Sequence, residues 1–251
     1  MKYHWSCMMD IGRRGNQEDA ILIGREVFQE NELIKNGETE SENFMACVAD
    51  GMGGLDAGEV VSRFVLDEMS HLFCGSKITE AEIQKGVKEI HEKCLGANLS
   101  EDGGATLAGV FFSKNAAFCF NAGDCRVYRK ESDGLHRITQ DHSFVERLVK
   151  KGFIKREEAF GHPYNNVVDF GLGSCFDKEW EKMRPEVHYY EMLPPVCFLV
   201  CSDGLSDVLR DEEIWSVIKT SPVEQAKELM NAVFEKGMKD NTSFIIIEVM
   251  P

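Results

Sequence analysis

The sequence predicts an α+β fold in which antiparallel β-sheets carry helices on their outer faces. Strands outnumber helices and arrive as meanders joined by hairpins, and the helices are inserted in pairs. A doubly wound parallel sheet would instead alternate strand and helix. A third observation marks where chemistry lies: three strand-like apolar runs each lead into an aspartate beside glycine, at Asp50-Gly51, Gly123-Asp124 and Asp203-Gly204.

In chain order, residues 3–9 and 20–28 read as strands around a polar hinge, 10–19. Residues 29–43 are acidic, polar and unpatterned, and read as a surface loop. Residues 44–49 form an apolar run ended by Asp50-Gly51-Met52-Gly53-Gly54, the pattern of a buried strand that delivers its last side chain to the sheet edge. Glycine there lets the backbone approach a ligand closely. A helix then runs from 55 to about 73, with Asp56 and Glu59 at capping-box spacing. A second runs from 79 to about 99, with Thr79 and Glu82 in the same relation.

Residues 105–112, 116–121 and 125–130 form a strand-rich meander, and 135–139 add a short strand after the Asp133-Gly134 turn. Ser143 and Glu146 cap a short helix, and 155–182 are rich in loop. Strands at 187–191 and 196–201 lead into helices near 211–220 and 222–236, the latter with Ser221 as cap and Pro222 in first position. Residues 243–249 make a closing strand. No repeat, linker or low-complexity segment interrupts the chain, which predicts one domain over 1–251.

A formal net charge of −15 argues against nucleic acid or an anionic membrane as partner. No apolar run approaches membrane-spanning length, so a soluble, cytoplasmic protein is expected. The nine cysteines lie mostly in apolar strand-like runs and contain no Cys-x-x-Cys pair, the pattern of buried free thiols in a reducing compartment.

The strand-end aspartates suggest a function. Carboxylates gathered at one sheet edge repel and desolvate one another unless cations sit between them, so the pattern predicts a cage for hard divalent ions. Arg14-Gly15-Asn16-Gln17-Glu18-Asp19 adds an arginine whose planar fork matches phosphate oxygens, and two more acids able to face the metals. Asp240-Asn241-Thr242 supplies a further acid before the closing strand.

Taken in order, these segments with Gly103-Gly104-Ala105-Thr106-Leu107, Asn121-Ala122-Gly123-Asp124-Cys125-Arg126, Thr139-Gln140-Asp141-His142-Ser143 and Ser202-Asp203-Gly204-Leu205-Ser206-Asp207 resemble the motif series of the metal-dependent type 2C (PPM) protein phosphatases. The likeness spans nearly the whole chain. The stretch from Val145 through Glu158-Ala159 and His162-Pro163 to Gly171-Leu172-Gly173 resembles the flap of the bacterial branch, at about 143–182. The resemblance implies a four-layer αββα sandwich and a protein-serine/threonine phosphatase using a binuclear Mg²⁺ or Mn²⁺ centre. Asp50 would bridge the metals, with the Gly51 carbonyl, Asp203 and Asp240 as further ligands and Glu18 and Asp19 completing the shell. Arg14 would grip phosphate, and Asp124 with Asp203 would flank a third, weaker metal. Two cations would activate water for in-line attack on phosphoserine or phosphothreonine. Phosphoproteins made by a cognate Ser/Thr kinase would be the substrates of a monomeric enzyme active in signalling. Met52 replaces the histidine of animal members, so a water would protonate the leaving group. Asn165 and Phe170 stand where the bacterial branch usually carries basic residues.

Two rival readings use other features. Cys7 and Arg13 have the Cys-x5-Arg spacing of cysteine-dependent phosphatases, but that chemistry needs a low-pKa thiolate at a helix N-terminus, and Cys7 falls within a strand. A catalytically silent, phosphatase-like binding module would lack ligand positions, and none is missing here.

Overall fold

The computed structural model describes residues 1–53, 57–72, 78–218 and 222–251. Its strands are β1 (Lys2–Asp10), β2 (Asp19–Ile23), β3 (Glu26–Phe28), β4 (Glu32–Glu40), β5 (Asn43–Met52), β6 (Gly104–Ser113), β7 (Ala116–Ala122), β8 (Arg126–Lys130), β9 (Leu135–Arg137), β10 (Leu172–Gly173), β11 (Glu186–Glu191), β12 (Val196–Cys201) and β13 (Thr242–Met250). The helices are α1 (Ala57–Leu72), α2 (Glu80–Ala97), α3 (Phe144–Lys150), α4 (Arg156–Ala159), α5 (Asp203–Ser206), α6 (Asp211–Val217) and α7 (Pro222–Glu235), with a 3₁₀ segment at Ser174–Glu181.

The strands form two antiparallel sheets. One has the order β4-β1-β13-β12-β8-β9, the other β11-β7-β6-β5-β2-β3 with β10 added to β6. Side chains alternate across each strand, so each sheet offers one face to its partner and one to helices. Tyr3, Ile21, Val48, Val110, Phe198 and Ile247 meet in the core between the sheets. The other face of the β5 sheet buries Val61 and Val65 of α1 with Ile83 and Val87 of α2. The other face of the β13 sheet takes Ile214 of α6 with Leu229 and Val233 of α7. The expected αββα sandwich is what the chain forms.

Thr79 caps α2 with the predicted capping box to Glu82, and Ser143 caps α3 by accepting from Glu146 N. Gly54, Leu55, Asp56, Phe73, Thr220 and Ser221, which include the expected first-helix box and the α7 cap, lie outside the described residues. Among the described residues, no helix is long and apolar enough to cross a membrane.

Three expectations need correction. Residues 29–43 are not all loop: β4 pairs with β1 along its whole length, from Asp10 opposite Glu32 to Lys2 opposite Glu40. Its alternation is hidden because β4 is an edge strand on which only Leu33 is buried, so charged residues fill its faces without penalty. Residues 20–28 are two strands rather than one, because Gly24 turns the chain at φ +63°. Asp50 does not end its strand: β5 continues through Gly51 and Met52, paired with Ala105 and Gly104.

Candidate metal centre

The centre is built by the strand period itself. Phe44, Ala46 and Val48 of β5 point into the inter-sheet core, and the next residue on that face is Asp50. Ile23 and Ile21 of β2 lead back likewise to Asp19, which sits directly opposite Asp50. The same step leads to Thr106 on β6, Asn121 on β7, Ser202 after β12 and Ser243 on β13, all fully buried. The faces that are apolar along the sandwich thus turn polar together at one end. No single strand pattern reveals this, since each shows only one polar residue ending an apolar run.

Loops complete the ring. Asp203 follows Ser202 and opens α5, Asp124 lies in the β7–β8 turn, and Asp240 precedes β13. Glu18 and Arg14 come from the hinge, where Arg14 Nη2 donates to Asp240 Oδ2 at 2.6 Å. Gly51 N donates to Glu18 O at 3.0 Å. A Cβ at Gly51 would collide with the Gly58 carbonyl oxygen and sit 2.8 Å from Glu18 O, so only glycine permits this approach of β5 to the hinge and α1. All the residues expected from sequence are therefore at this end: Arg14, Glu18, Asp19, Asp50, Gly51, Asp124, Asp203 and Asp240.

Their electrostatics is that of acids without enough counter-charge. Burial first, and then Asp203, Asp19 and Asp124, pushes Asp50 well above the ordinary carboxylate range. Burial and then Asp203 act on Asp124 in the same sense, and burial with Asp240 raises Asp203. Asp19 is pushed up to about 7 by burial with Asp203 and Asp240, against the hydrogen bond of Ser202 that favours its charge. Asp207, in the turn after α5, also rises to about 7, through burial and then Asp203. Asp19 Oδ1 and Asp203 Oδ1 are buried with no hydrogen-bond partner. Orphaned hard oxygens among mutually repelling carboxylates fit Mg²⁺ or Mn²⁺, which take oxygen ligands and would supply the missing charge.

Several residues that hold the acids were not singled out from sequence. Ser202 Oγ donates to Asp19 Oδ2 at 2.8 Å and accepts from Ser243 N at 3.1 Å. Asn241 accepts from Glu18 N at 2.8 Å and donates to Ile11 O and Asn16 O, tying the hinge to the β13 loop. Asn121 and buried His142 hold the turn that carries Asp124: Asn121 Nδ2 donates to Gly123 O at 3.1 Å, and His142 N donates to the same oxygen at 2.9 Å. Their motifs were visible, but nothing in them states which atoms they tie.

Of the two unusual flap residues, Phe170 turns inward. That side chain is fully buried, packed against Trp180 at 4.8 Å and His142 at 5.2 Å, so it supports the flap from below. Asn165 instead reaches across to the sandwich, donating to Asp207 Oδ2 at 2.5 Å. Cys7 lies in the middle of β1 with its thiol pushed up to about 12 by burial, which removes it as a nucleophile. Among the described cysteines, expected to be buried, Cys175 is exposed. Among the described residues, three potential ligand atoms gather within 4.8 Å only at Glu131, Asp133 and His136, in the exposed β8–β9 hairpin. There His136 already pairs with Asp133 at 2.9 Å.

Comparison with known proteins agrees with this geometry. The chain is 29% identical over 244 residues to the serine/threonine protein phosphatase PstP of Mycobacterium tuberculosis, a match covering 94% of this chain and 43% of that protein. It therefore spans less than half the length of that relative. The crystal structure of Mycobacterium tuberculosis PstP/Ppp superposes with a TM-score of 0.83 at 26% identity, covering 100% of both chains. A structure of the PstP catalytic domain in complex with two manganese ions gives 0.79 at 25% identity, again covering 100% of both chains. The family description "Protein phosphatase 2C" matches residues 35–241, most of the chain, and with the fold and the acids in place the chain belongs to that family.

Proposed function

We propose that residues 1–251 form one catalytic domain that hydrolyses phosphoserine and phosphothreonine in proteins, using two divalent cations. The observation that carries this reading is the polar end of the sandwich, where buried acids converge with too little positive charge and with orphaned oxygens. Asp50, the Gly51 carbonyl, Asp203 and Asp240 would hold the ions, with Glu18 and Asp19 completing their surroundings and Asp124 beside a third, weaker position. When bound, the cations supply an acidified water and neutralise charge building on the phosphoryl oxygens.

The chain's own groups do the rest. Arg14 offers a guanidinium aimed by Asp240, half exposed and therefore open to a phosphate. Ser202 orients Asp19, and Asn241 holds Glu18 at the hinge. Met52 offers no transferable proton, so the leaving group takes its proton from water. The protein works in the cytoplasm, as a monomer in signalling, on substrates of a Ser/Thr kinase, with a flap at about 143–182. Its formal net charge of −15 argues against nucleic acid.

Hydrolysis of p-nitrophenyl phosphate and of phosphothreonine peptides, with added Mn²⁺ or with chelator, tests this. Activity is expected only with metal, abolished by Asp50→Asn and retained by Cys7→Ser. Full turnover in metal-stripped protein would refute the two-metal reading, and a folded but inactive Cys7→Ser would restore the cysteine mechanism. A folded wild-type protein that binds Mn²⁺ yet turns over nothing would favour the silent binding module.

A further inference from the structure

Apart from the central acids, a buried ion-pair network joins the flap to the sandwich, and Glu146 is its hub. The Glu146 side chain is 3% exposed. Its Oε1 accepts from Arg156 Nη2 and from Gln140 Nε2, both at 2.6 Å. Its Oε2 accepts from Arg137 Nη2 at 3.1 Å and from Arg156 Nη1. Arg137 also reaches Asp141 at 3.4 Å, and Arg126 grips Asp141 with Nε and Nη2 at 3.0 and 2.7 Å. A continuous line of alternating charge thus runs from Arg156 on α4, through α3 and β9, to Arg126, two residues beyond Asp124. Burial alone would raise the Glu146 pKa, but the bonds from Arg156 and Gln140 and the charge of Arg137 bring it to about 2, so the hub is ionised throughout the working pH range.

Within the flap, α4 is the part that this anchor seats. α4 is one turn long and buries none of its side chains, so apolar packing cannot fix it. The rest of the flap is tied at its base by Phe144 N to Val167 O at 2.9 Å and by Arg147 to Asp169 at 2.8 Å. Two contacts beyond α4 cross to the other side: Arg210 stacks on Phe160 at 4.1 Å, and Asn165 bonds Asp207. Between these two sides lies a cavity of about 420 Å³ lined by Arg156, Phe160 and Asn165 of the flap and by Asp124 and Asp203 of the centre. The seat of α4 therefore sets the width of the space beside the acids. Glu146 lines the same cavity and bonds neither Asp124 nor Asp203; of its partners, Arg156 is the one on the flap wall.

We propose that Glu146 is a positioning residue that seats the flap through Arg156, and so determines how well a phosphorylated polypeptide, as distinct from a small phosphate ester, is held beside the acids. The proposal rests on the phosphatase reading above. A small aryl phosphate needs only the phosphate end of the site, whereas a polypeptide must also fit the cavity wall.

The test uses the full chain with Mn²⁺, the variants Glu146→Gln and Arg156→Gln and their double, and two substrates, p-nitrophenyl phosphate and a phosphothreonine peptide. Losing the charge-assisted pair should raise the peptide KM about tenfold. The kcat and KM for p-nitrophenyl phosphate should stay within about twofold, the split expected of a residue that acts on seating alone. Because both residues form one contact, the double variant should be no worse than Glu146→Gln. Hydrogen exchange at amides 152–165 should be faster in each variant. Equal losses on both substrates, or an unchanged peptide KM in a folded variant, overturn the proposal. If Glu146→Gln does not fold, Arg156→Gln decides, since its side chain is half exposed. If the wild-type protein hydrolyses neither substrate, the phosphatase reading fails, while unchanged exchange at 152–165 in the variants would separately refute the anchor.

Discussion

Replacing Asn241 by alanine tests whether the hinge and the metal-bearing loop are one structural unit. Asn241 is 3% exposed. It accepts from Glu18 N at 2.8 Å and donates to Ile11 O at 2.9 Å and Asn16 O at 3.1 Å. One amide donor and two carbonyl acceptors around it fix which end of the side chain is oxygen. Each such bond contributes about 1 kcal/mol net, and a buried group left unpaired costs about 1–3 kcal/mol. Asn16 is exposed, so its carbonyl turns to water, leaving Glu18 N and Ile11 O to bear most of the loss. The expected destabilisation is about 2–4 kcal/mol, a fall of about 5–10 °C in Tm for a chain of this size. Guanidinium unfolding followed by circular dichroism should show a lower midpoint with an unchanged slope. Asn241→Asp should be no better, because it keeps the acceptor for Glu18 N but turns a second oxygen toward two carbonyls. The half-saturating Mn²⁺ concentration should rise in both variants, since Glu18 and Asp19 leave the same hinge. A loss below about 0.5 kcal/mol with unchanged Mn²⁺ dependence would refute the argument, being no more than an ordinary surface substitution costs.

Arg14→Ala should raise KM more than it lowers kcat, by about ten- to a hundredfold for one charge-assisted contact, and an unchanged KM in steady-state assays would remove Arg14 from phosphate binding. Asp124→Ala should leave two tight metals and the fold intact in calorimetric titration while slowing turnover and raising the Mn²⁺ requirement. Wild-type rates at every metal concentration would make Asp124 a turn residue only. The metal-free protein should lose stability with rising pH. Burial and nearby acids hold Asp19 and Asp207 at about 7 in the folded chain, against about 3.9 unfolded. The folded state binds the protons more tightly, so this stabilisation is complete below about pH 4 and is lost as pH rises through about 7. Calorimetry in chelator should show Tm falling between pH 5 and pH 8 and the loss reversed by Mn²⁺. A chelated Tm independent of pH across that range would contradict the picture of uncompensated acids.

How legible the molecule was depends on which physical force built each part. The apolar runs of β5, β6, β7, β12 and β13 and the Thr79 cap were readable because burial and capping leave local marks. β4 was not, because an edge strand held by backbone pairing can carry Glu32, Lys35, Glu38 and Glu40 and still look like loop. The acids were visible as Asp-Gly signals and as an ordered motif series. Three aspartates at strand ends were enough to predict a cage, but which further residues close it depends on six strands turning polar at the same level, and those roles came through the resemblance. Ser202 and Asn241 could not be assigned from local pattern, because each acts by bonding a residue far away in sequence. The burial of Phe170 was likewise not written locally, since the rings that cover it, His142 and Trp180, lie elsewhere in the chain.

The pairing of Asp19 with Asp50, and of Asp50 with Thr106, constrains how this chain can diverge. A single inserted or deleted residue within β2 or β5 would rotate the acid onto the helix-facing side and expose the apolar residues of that strand, so such changes are all-or-none. The flap carries no such bookkeeping: α4 buries nothing, and Gly152 and Gly161 flank it in turns. Lineages descended from such a chain can therefore lengthen, shorten or recharge the flap around its Glu146–Arg156 seat, trading partners, while the spacing of the acids stays locked by the weave of the sheet.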